Sequence, residues 1–249
     1  MAGMTWPRPV PLIGDRTRAA ERAADPRGWA FDEASIAALH AVIDARRDIR
    51  RFRPDAVPPE VLRRVLAAGH AAPSVGHSQP WRFVVVTDPA TRARLGDIYR
   101  RAWARYRDEG VTAGRPGAST QPTGRDLQRR IGRSAQYLAD HMHEVPVLVM
   151  ACHPGRTEDR TQVIQASAFG SVLPAVWSFM LAARARGLGT AWTTIHLFHE
   201  EEAAEVLGIP YEEVSQVALI PVAHTVGTDF KPGPRVPLER FAHWERWSS

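Results

Sequence analysis

Three arginines and an aspartate stand close together where a predicted helix ends: Arg46, Arg47, Asp48 and Arg50. A guanidinium group is planar and permanently charged, and it can donate two parallel hydrogen bonds to a phosphate or a carboxylate. The cluster can therefore hold an anion. The ordinary alternative is that cations interact favourably with the dipole at a helix C-terminus, with Asp48 neutralising them. The cluster by itself leaves both interpretations open.

A second stretch with unusual chemistry is APSVGHSQPWRFVVV, residues 72–86. Pro73, Ser74 and Val75 lead to a glycine, so the turn offers backbone N–H groups, a hydroxyl and a close approach of the main chain. Gln79 and a Pro-Trp pair then lead into an apolar strand. Such a turn can follow the edge of a planar, hydrogen-bonding ligand. A tight turn next to a packed tryptophan explains the same residues.

Helical and strand-like patterns alternate along the chain and must position these two stretches. Helices are predicted over residues 33–47, 59–72, 89–109, 125–143, 162–186 and 199–208, and strands over residues 83–87, 145–151, 190–195 and 214–222. Residues 110–124 are rich in Gly, Pro and Thr and predict a long loop of the kind that is often a lid or mobile. Residues 1–30 predict an extended arm and residues 31–249 a single layered α/β or α+β domain, whose last part, 224–249, is a polar arm.

The composition narrows the class of protein. The 249 residues carry a net charge of +5, but the 32 basic residues are scattered among 27 acidic ones and do not alternate with aromatics, so no nucleic-acid partner is expected. Cys152 is the one cysteine of the sequence, and no apolar stretch approaches the roughly 20 residues of a membrane span. We expect a soluble cytoplasmic protein. His141 and His143 lack a clear third ligand, so no metal site is expected.

Four segments in this order resemble the nitroreductase family of FMN-dependent flavoproteins. They are RRDIRRF (46–52), APSVGHSQPWRFVVV (72–86), GLGTAWTTI (187–195) and DFKPGPRVPLERFAHWERW (229–247). The resemblance covers nearly the whole chain, roughly Phe31 to Trp247. It implies an α+β fold with a central, mostly antiparallel sheet flanked by helices. It also implies an interlocked homodimer with FMN at the subunit interface.

The resemblance assigns flavin contacts to four groups of residues. They are Arg46, Arg47, Asp48 and Arg50; Pro73, Ser74, Val75 and Gln79; Thr193, Thr194 and Ile195; and Lys231 and Arg235. The group that begins with Arg46 matches the motif that binds the ribityl phosphate and the carbonyl edge of the flavin ring. The group that begins with Pro73 matches the turn that reaches the flavin from the partner subunit. The threonine group matches the stretch that faces flavin N5. Arg235 matches a phosphate-binding arginine, with Lys231 assisting, and Gly233 stands where the family often has a cation.

The family's chemistry is carried by the flavin rather than by reactive side chains. The ring accepts hydride from NADH or NADPH at N5 and passes electrons to a small aromatic, quinone or similar acceptor. The protein supplies stacking space, polarity at N5 and exclusion of water. No nucleophile or acid–base triad is expected, and Thr194 and Asp48 are the residues closest to a catalytic role.

Asp48 leaves a second function open, because many family members carry serine at this position. Arg-Arg-Asp followed by Pro-Ser-Val-Gly is similar to the 5,6-dimethylbenzimidazole synthase branch, in which an aspartate and a serine act in the oxygen-dependent fragmentation of reduced FMN. Thr194 stands at the serine position, and His77 and Ser78 replace a bulkier apolar pair of that branch. A third alternative is a protein that binds FMN without turnover.

Overall fold

The computed structural model describes residues 30–109, 122–233 and 235–247. The predicted N-terminal arm and most of the predicted loop 110–124 lie outside these residues. The described α-helices are α1 (Glu33–Ala45), α2 (Pro59–His70), α3 (Pro89–Asp108), α4 (Pro122–His141), α5 (Gln162–Arg184) and α6 (Glu200–Leu207). Short 3-10 turns cover Val75–His77, Met142–Glu144, Ile195–His199 and Leu238–Arg240.

Four strands form one sheet in the described part of the chain: β1 (Arg82–Val86), β2 (Val147–Pro154), β3 (Leu188–Thr190) and β4 (Val214–His224). Their order is β1-β2-β4-β3, and every neighbouring pair is antiparallel. The register between β2 and β4 shifts at Ala151/Cys152. Helices flanking an antiparallel sheet confirm the predicted α+β class.

Local capping explains where two of the helices begin. Asp32 precedes α1 and accepts a hydrogen bond from the Ser35 N–H at 2.7 Å, and Asp88 does the same for the Thr91 N–H before α3. Each bond satisfies a backbone donor that the first helical turn leaves without a partner. Pro89 then occupies a first-turn position, where its missing N–H costs nothing.

The central strand β2 is buried on both of its faces. Val147, Val149 and Ala151 face a core formed with α2 and α5, whereas Leu148 and Met150 face a core formed with α3 and the end of α4. The alternation follows from the two-residue period of a strand, and it sandwiches the sheet between two helical layers. The sheet therefore gives a rigid frame to the loops at its edges.

Helix α5 is apolar along most of its length. By length and composition it could cross a membrane, but it also supplies the core, and 44% of its most apolar window is buried inside the protein. An apolar core helix meets the same criterion, so the helix is weak evidence for a membrane span. Other apolar side chains of the helix, among them Phe169, Leu173 and Trp177, are exposed on the described chain.

The predicted boundaries were wrong in two places near the candidate site. The third strand ends at Thr190 and does not continue to residue 195, because the chain there turns into the 3-10 turn Ile195–His199. Thr193 keeps only an isolated bridge to Leu219. Helix α4 begins at Pro122, so residues 122–124 are helical and not part of a loop. Proline suits the first turn of a helix, which explains the earlier start.

Candidate functional site

The segment with the arginines lies along the edge of the sheet, beside β3. Asp48 forms a parallel bridge with Thr190, and the Ile49 N–H donates to the Thr190 carbonyl oxygen at 2.9 Å. Gly189 permits this approach, since a Cβ there would lie 2.9 Å from the Ile49 Cβ and 2.6 Å from the Thr225 Cγ2. Two of the groups predicted from sequence, 46–50 and 193–195, are thereby brought to the same edge.

Asp48 joins these two groups through its side chain. Its Oδ1 accepts a hydrogen bond from Arg46 Nη1 at 3.1 Å and another from the backbone N–H of Trp192 at 3.3 Å. The Arg46 guanidinium also lies over the Trp177 ring, 4.5 Å from its centroid. Arg46 is thus held by an ion pair and a cation–π contact, which orient its remaining N–H groups.

Arg47 presents an unsatisfied donor. Its Nη1 donates to the carbonyl oxygens of Asp44 and Arg46, at 3.1 and 2.6 Å. Its Nη2 is buried and has no hydrogen-bond partner among the residues that the structure describes. Burial lowers the pKa of Arg47, and the positive charges of Arg235 and Arg46 lower that pKa further. A buried donor among like charges is costly, and an anion bound there would satisfy it.

Gly233 brings the C-terminal arm against Arg47. A Cβ at Gly233 would lie 2.8 Å from Arg235 Nη1 and 3.4 Å from Arg47 Cζ. The glycine therefore leaves room for two guanidinium groups to converge, at the position where the resemblance expects a cation. Lys231 is exposed. The structure brings Arg47 and Arg235 together at Gly233.

Arg50 extends from the same segment toward helix α3. Its Nη1 makes a long hydrogen bond of 3.4 Å to the Asp48 carbonyl oxygen. Tyr99 of α3 is buried nearby: burial raises the pKa of its hydroxyl to about 12, opposed by the Arg50 charge and by a hydrogen bond with Thr193. Sequence reasoning missed Tyr99, because its place on the apolar stripe of α3 marks it only as a core residue.

The three residues 193–195 differ in their burial and in their hydrogen bonds. The Thr193 hydroxyl is buried and donates to the Leu219 carbonyl oxygen, so it belongs to the sheet. Thr194 is exposed and Ile195 half-buried, so the Thr194 hydroxyl is the one in this segment that a ligand can reach. His196, which sequence reasoning also missed, is fully buried with no partner for either ring nitrogen among the described residues. Burial lowers its pKa to about 3.

The turn after α2 has a strained backbone. Gly76, His77 and Gln79 all have left-handed conformations, with φ of 60°, 54° and 46°. For residues other than glycine this conformation costs about 1–3 kcal/mol, and such strain is concentrated at functional sites. Ser74 Oγ accepts the Gln79 N–H at 3.0 Å and so closes the turn on itself.

The same turn packs on α5 and not on the arginine segment. The Val75 N–H donates to Ser171 Oγ of α5 at 3.1 Å, while Pro73 and the Val75 side chain are exposed. The structure of one chain therefore brings together the arginine segment, residues 193–195 and Arg235, whereas among the described residues no hydrogen bond joins Pro73, Ser74, Val75 or Gln79 to residues 46–50 or to residues 193–195. That separation is compatible with a site completed by a second chain.

Known proteins resemble this chain along most of its length. The model of the nitroreductase family matches residues 43–224. A 5,6-dimethylbenzimidazole synthase of Rhodospirillum rubrum is 32% identical over 189 residues, which cover 74% of this chain and 81% of the relative. An NADH dehydrogenase of Thermus thermophilus is 28% identical over 244 residues, covering 85% of this chain and 99% of the relative.

Solved structures share the fold at low sequence identity. Iodotyrosine deiodinase bound to FMN and 3-iodo-L-tyrosine superposes with a TM-score of 0.64 at 21% identity, covering 84% of this chain and all of the other. The FMN-dependent nitroreductase NfnB of Mycobacterium smegmatis, in complex with NADPH, gives a TM-score of 0.62 at 23% identity and covers 85% of this chain and all of the other. The family match, the relatives and the fold together lead to one conclusion: this chain belongs to the nitroreductase family.

Proposed function

We propose that the protein is an FMN-dependent oxidoreductase that takes hydride from NADH or NADPH and passes electrons to a small aromatic, quinone or similar acceptor. The observation that carries this proposal is the buried Nη2 of Arg47, which lies beside Arg235 and has no hydrogen-bond partner among the described residues. Two converging guanidinium groups suit the phosphate of FMN, because each can donate paired hydrogen bonds to phosphate oxygens. The residues present thus fit the cofactor.

The other residues of the site would contact the flavin ring of the cofactor. Arg46, oriented by Asp48, and Arg50 would recognise the carbonyl edge of the ring. The exposed Thr194 and the backbone around it would face N5 and keep that position polar. Bound FMN supplies hydride acceptance and release at N5. The protein's own part is to orient the ring, hold polar groups against it and exclude water.

We further propose a homodimer in which the turn 73–79 of the second chain completes each site. Support comes from the exposed apolar side chains Phe169, Leu173 and Trp177 along α5, the helix on which the turn is seated. Contiguous exposed apolar surface of this kind marks interfaces. Residues 31–249 would form one FMN-binding domain whose arm, 224–249, also presents exposed aromatic rings to a partner. We propose that the protein is located in the cytoplasm, where thiols stay reduced, since Cys152 is a free, buried thiol.

A second candidate function is the oxygen-dependent fragmentation of reduced FMN to 5,6-dimethylbenzimidazole. The hydrogen bond from the Trp192 N–H to Asp48 favours this second function, because the bond holds the Asp48 carboxylate close to the chain that leads from Trp192 to Thr194. A carboxylate in that place can accept or return a proton. The 32% identity to a 5,6-dimethylbenzimidazole synthase points the same way. A third candidate, FMN binding without turnover, would use the same arginines.

One incubation separates the three functions. The purified protein is mixed with FMN and excess NADPH in air, and then with NADH. Nicotinamide absorbance and flavin content by chromatography are both followed. Nicotinamide oxidised with intact flavin supports the oxidoreductase. Loss of flavin with a benzimidazole product identifies the fragmenting enzyme. Bound flavin with neither nicotinamide consumed would overturn the oxidoreductase proposal and favour the binding protein.

A further inference from the structure

The turn Ser74–Gln79 has an internal hydrogen-bond network that shapes it but does not attach it to the protein. The His77 N–H donates to the Ser74 carbonyl oxygen at 3.1 Å, and the Ser78 hydroxyl donates to the Val75 carbonyl oxygen at 2.8 Å. His77 and Gln79 are two of the three non-glycine residues with positive φ in the described chain. Strained conformations persist only where surrounding structure enforces them. The attachments at the two ends of the turn therefore decide whether it keeps this shape.

The first attachment is Ser171 in the middle of α5. Its hydroxyl donates to the Ser167 carbonyl oxygen at 2.8 Å, one helical turn earlier. A hydroxyl has one proton and two lone pairs, so the Ser171 oxygen is left as an acceptor, and it receives the Val75 N–H at 3.1 Å. Ser171 is 1% exposed. A buried side chain without contact to solvent thus holds the start of the turn.

The second attachment is His70, the last residue of α2. Its Nδ1 accepts the indole N–H of Trp81 at 3.1 Å, and the two rings meet edge to face with centroids 5.8 Å apart. Trp81 is buried in the core, so its N–H needs an acceptor within the protein. The histidine that ends the helix before the turn therefore holds the tryptophan that follows it. Accepting at Nδ1 requires the neutral tautomer with its proton on Nε2.

We infer that Ser171 and His70 are positioning residues, which hold the turn Ser74–Gln79 in the conformation that contacts the flavin. The inference rests on the proposed function, in which this turn reaches the FMN of the second chain. Neither residue needs to touch the cofactor. Each fixes one end of a strained turn, and loss of either attachment lets the turn relax toward unstrained conformations that no longer match the flavin. FMN affinity therefore depends on two side chains outside the binding surface.

The His70 attachment is tested with two substitutions that differ in one property. His70→Asn keeps an acceptor, because its Oδ1 lies at the same distance along the side chain as Nδ1, whereas His70→Leu removes it. We expect His70→Leu to weaken FMN binding about tenfold, the usual order for one lost hydrogen bond with a buried donor left unsatisfied. His70→Asn should stay within about threefold of wild type. In a Trp81→Phe background, which lacks the donor, His70→Leu should have no further effect.

The Ser171 attachment has a matched control on the same helix. Ser171→Ala removes the acceptor for Val75, while Ser167→Ala removes only a local bond from the Ser167 hydroxyl to the Val163 carbonyl oxygen. FMN affinity is measured by quenching of flavin fluorescence on the full-length protein. The visible circular dichroism of bound flavin reports whether the ring environment has changed. Urea unfolding of each variant without FMN shows whether its fold has been lost.

The possible results separate this inference from the proposed function. If the wild-type protein does not bind FMN, the proposed function fails, and the inference fails with it. If the wild type binds FMN, the inference expects weaker binding and an altered flavin spectrum in His70→Leu and Ser171→Ala only. It is overturned if both variants are folded and bind FMN as the wild type does. Should one of them fail to fold, the other still decides, since they lie on different helices.

Discussion

The backbone N–H of Trp192 donates a hydrogen bond of 3.3 Å to the carboxylate of Asp48, a residue 144 positions earlier in the chain. The same oxygen, Oδ1, accepts Arg46 Nη1 at 3.1 Å. One carboxylate oxygen thus couples the arginine segment to the segment that carries Thr194. This connection explains why Asp48 matters for the arrangement of the site, whether or not it takes part in chemistry.

Replacing Asp48 by asparagine separates its charge from its acceptor oxygen. Asp48→Asn can still accept the Trp192 N–H through its amide oxygen but loses the ion pair with Arg46. Because that pair is partly exposed, we expect FMN affinity to change by no more than about threefold, the range of a surface ion pair. Chromatography of the flavin after incubation with NADPH in air then shows whether the charge is needed for turnover. An empty site in this variant would mean that the charge is required to orient the arginines.

Arg47 is expected to be the main phosphate ligand. Arg47→Ala removes the buried Nη2 that has no partner within the described residues, and a charge-assisted contact of this kind is worth about 1.5–3 kcal/mol. The FMN dissociation constant should rise about 10- to 100-fold, and the purified variant should lose its yellow colour. Arg53→Ala is the control, since Arg53 is exposed and pairs with Asp55. Equal flavin content in Arg47→Ala and the control would exclude the assigned role.

The small size of Gly233 is expected to have a modest effect on FMN binding. A methyl group there would meet Arg235 Nη1 at 2.8 Å and Arg47 Cζ at 3.4 Å, so in Gly233→Ala the flexible end of the Arg235 side chain has to move. Arg235 is exposed and can move at little cost, so we expect FMN binding to weaken by no more than about threefold, the range of an exposed charge contact. Gly227→Ala is the matched control, because its nearest atoms, on Phe230, are 4.0 Å away. Titration of both variants with FMN checks the prediction, which a stronger effect in Gly227→Ala would contradict.

We expect the exposed apolar face of α5 to be buried against a second chain in the proposed homodimer. Leu173→Glu introduces a charge among the exposed apolar residues of that helix without disturbing its buried face. Burying an unpaired charge is strongly unfavourable, so by light scattering we expect the variant to be a monomer and the wild type to be a dimer. It should also lose FMN, since each site would lack the turn of the other chain. His40→Glu, on the exposed side of α1, is the control. A dimeric, flavin-bound Leu173→Glu would argue against this interface.

His196 should make the protein less stable in acid. Burial lowers its pKa from 6.5 to about 3, so the folded state keeps it neutral while the unfolded chain binds a proton below pH 6.5. The unfolded state therefore holds more protons between pH 6.5 and about 3. The free energy of unfolding falls as the pH falls through this window, by up to about 1.4 kcal/mol per pH unit from this residue.

Substitution isolates that contribution. His196→Leu cannot titrate, so its free energy of unfolding should fall less steeply than that of the wild type between pH 7 and pH 5. His40→Leu, which removes an exposed histidine, is the matched control. Urea unfolding at fixed protein concentration and without FMN measures both slopes. Parallel slopes for His196→Leu and the wild type would show that the buried imidazole does not contribute.

Local sequence patterns were sufficient for the elements and for the family. The caps Asp32 and Asp88, the proline at the start of α2 and the continuous apolar run of β2 depend on neighbours within a few positions, and these elements were predicted within a few residues of their observed bounds. The order of the elements left α/β and α+β open, and the resemblance to the family favoured α+β. The family followed from motifs that survive in the linear sequence. Each of these properties depends on short-range stereochemistry or on residue identity.

Contacts between distant residues decided the rest. No local pattern near Thr190 predicts its pairing with Asp48, because the two residues are far apart in the chain. Gly233 comes close to Arg47 only when the C-terminal arm folds back along the domain. The shifted pKa values of Tyr99 and His196 result from burial, which no local pattern distinguishes from ordinary core packing. The sequence by itself determined which residues could bind an anion. The tertiary structure decided which of them converge, because convergence depends on long-range packing and on which charges are removed from water.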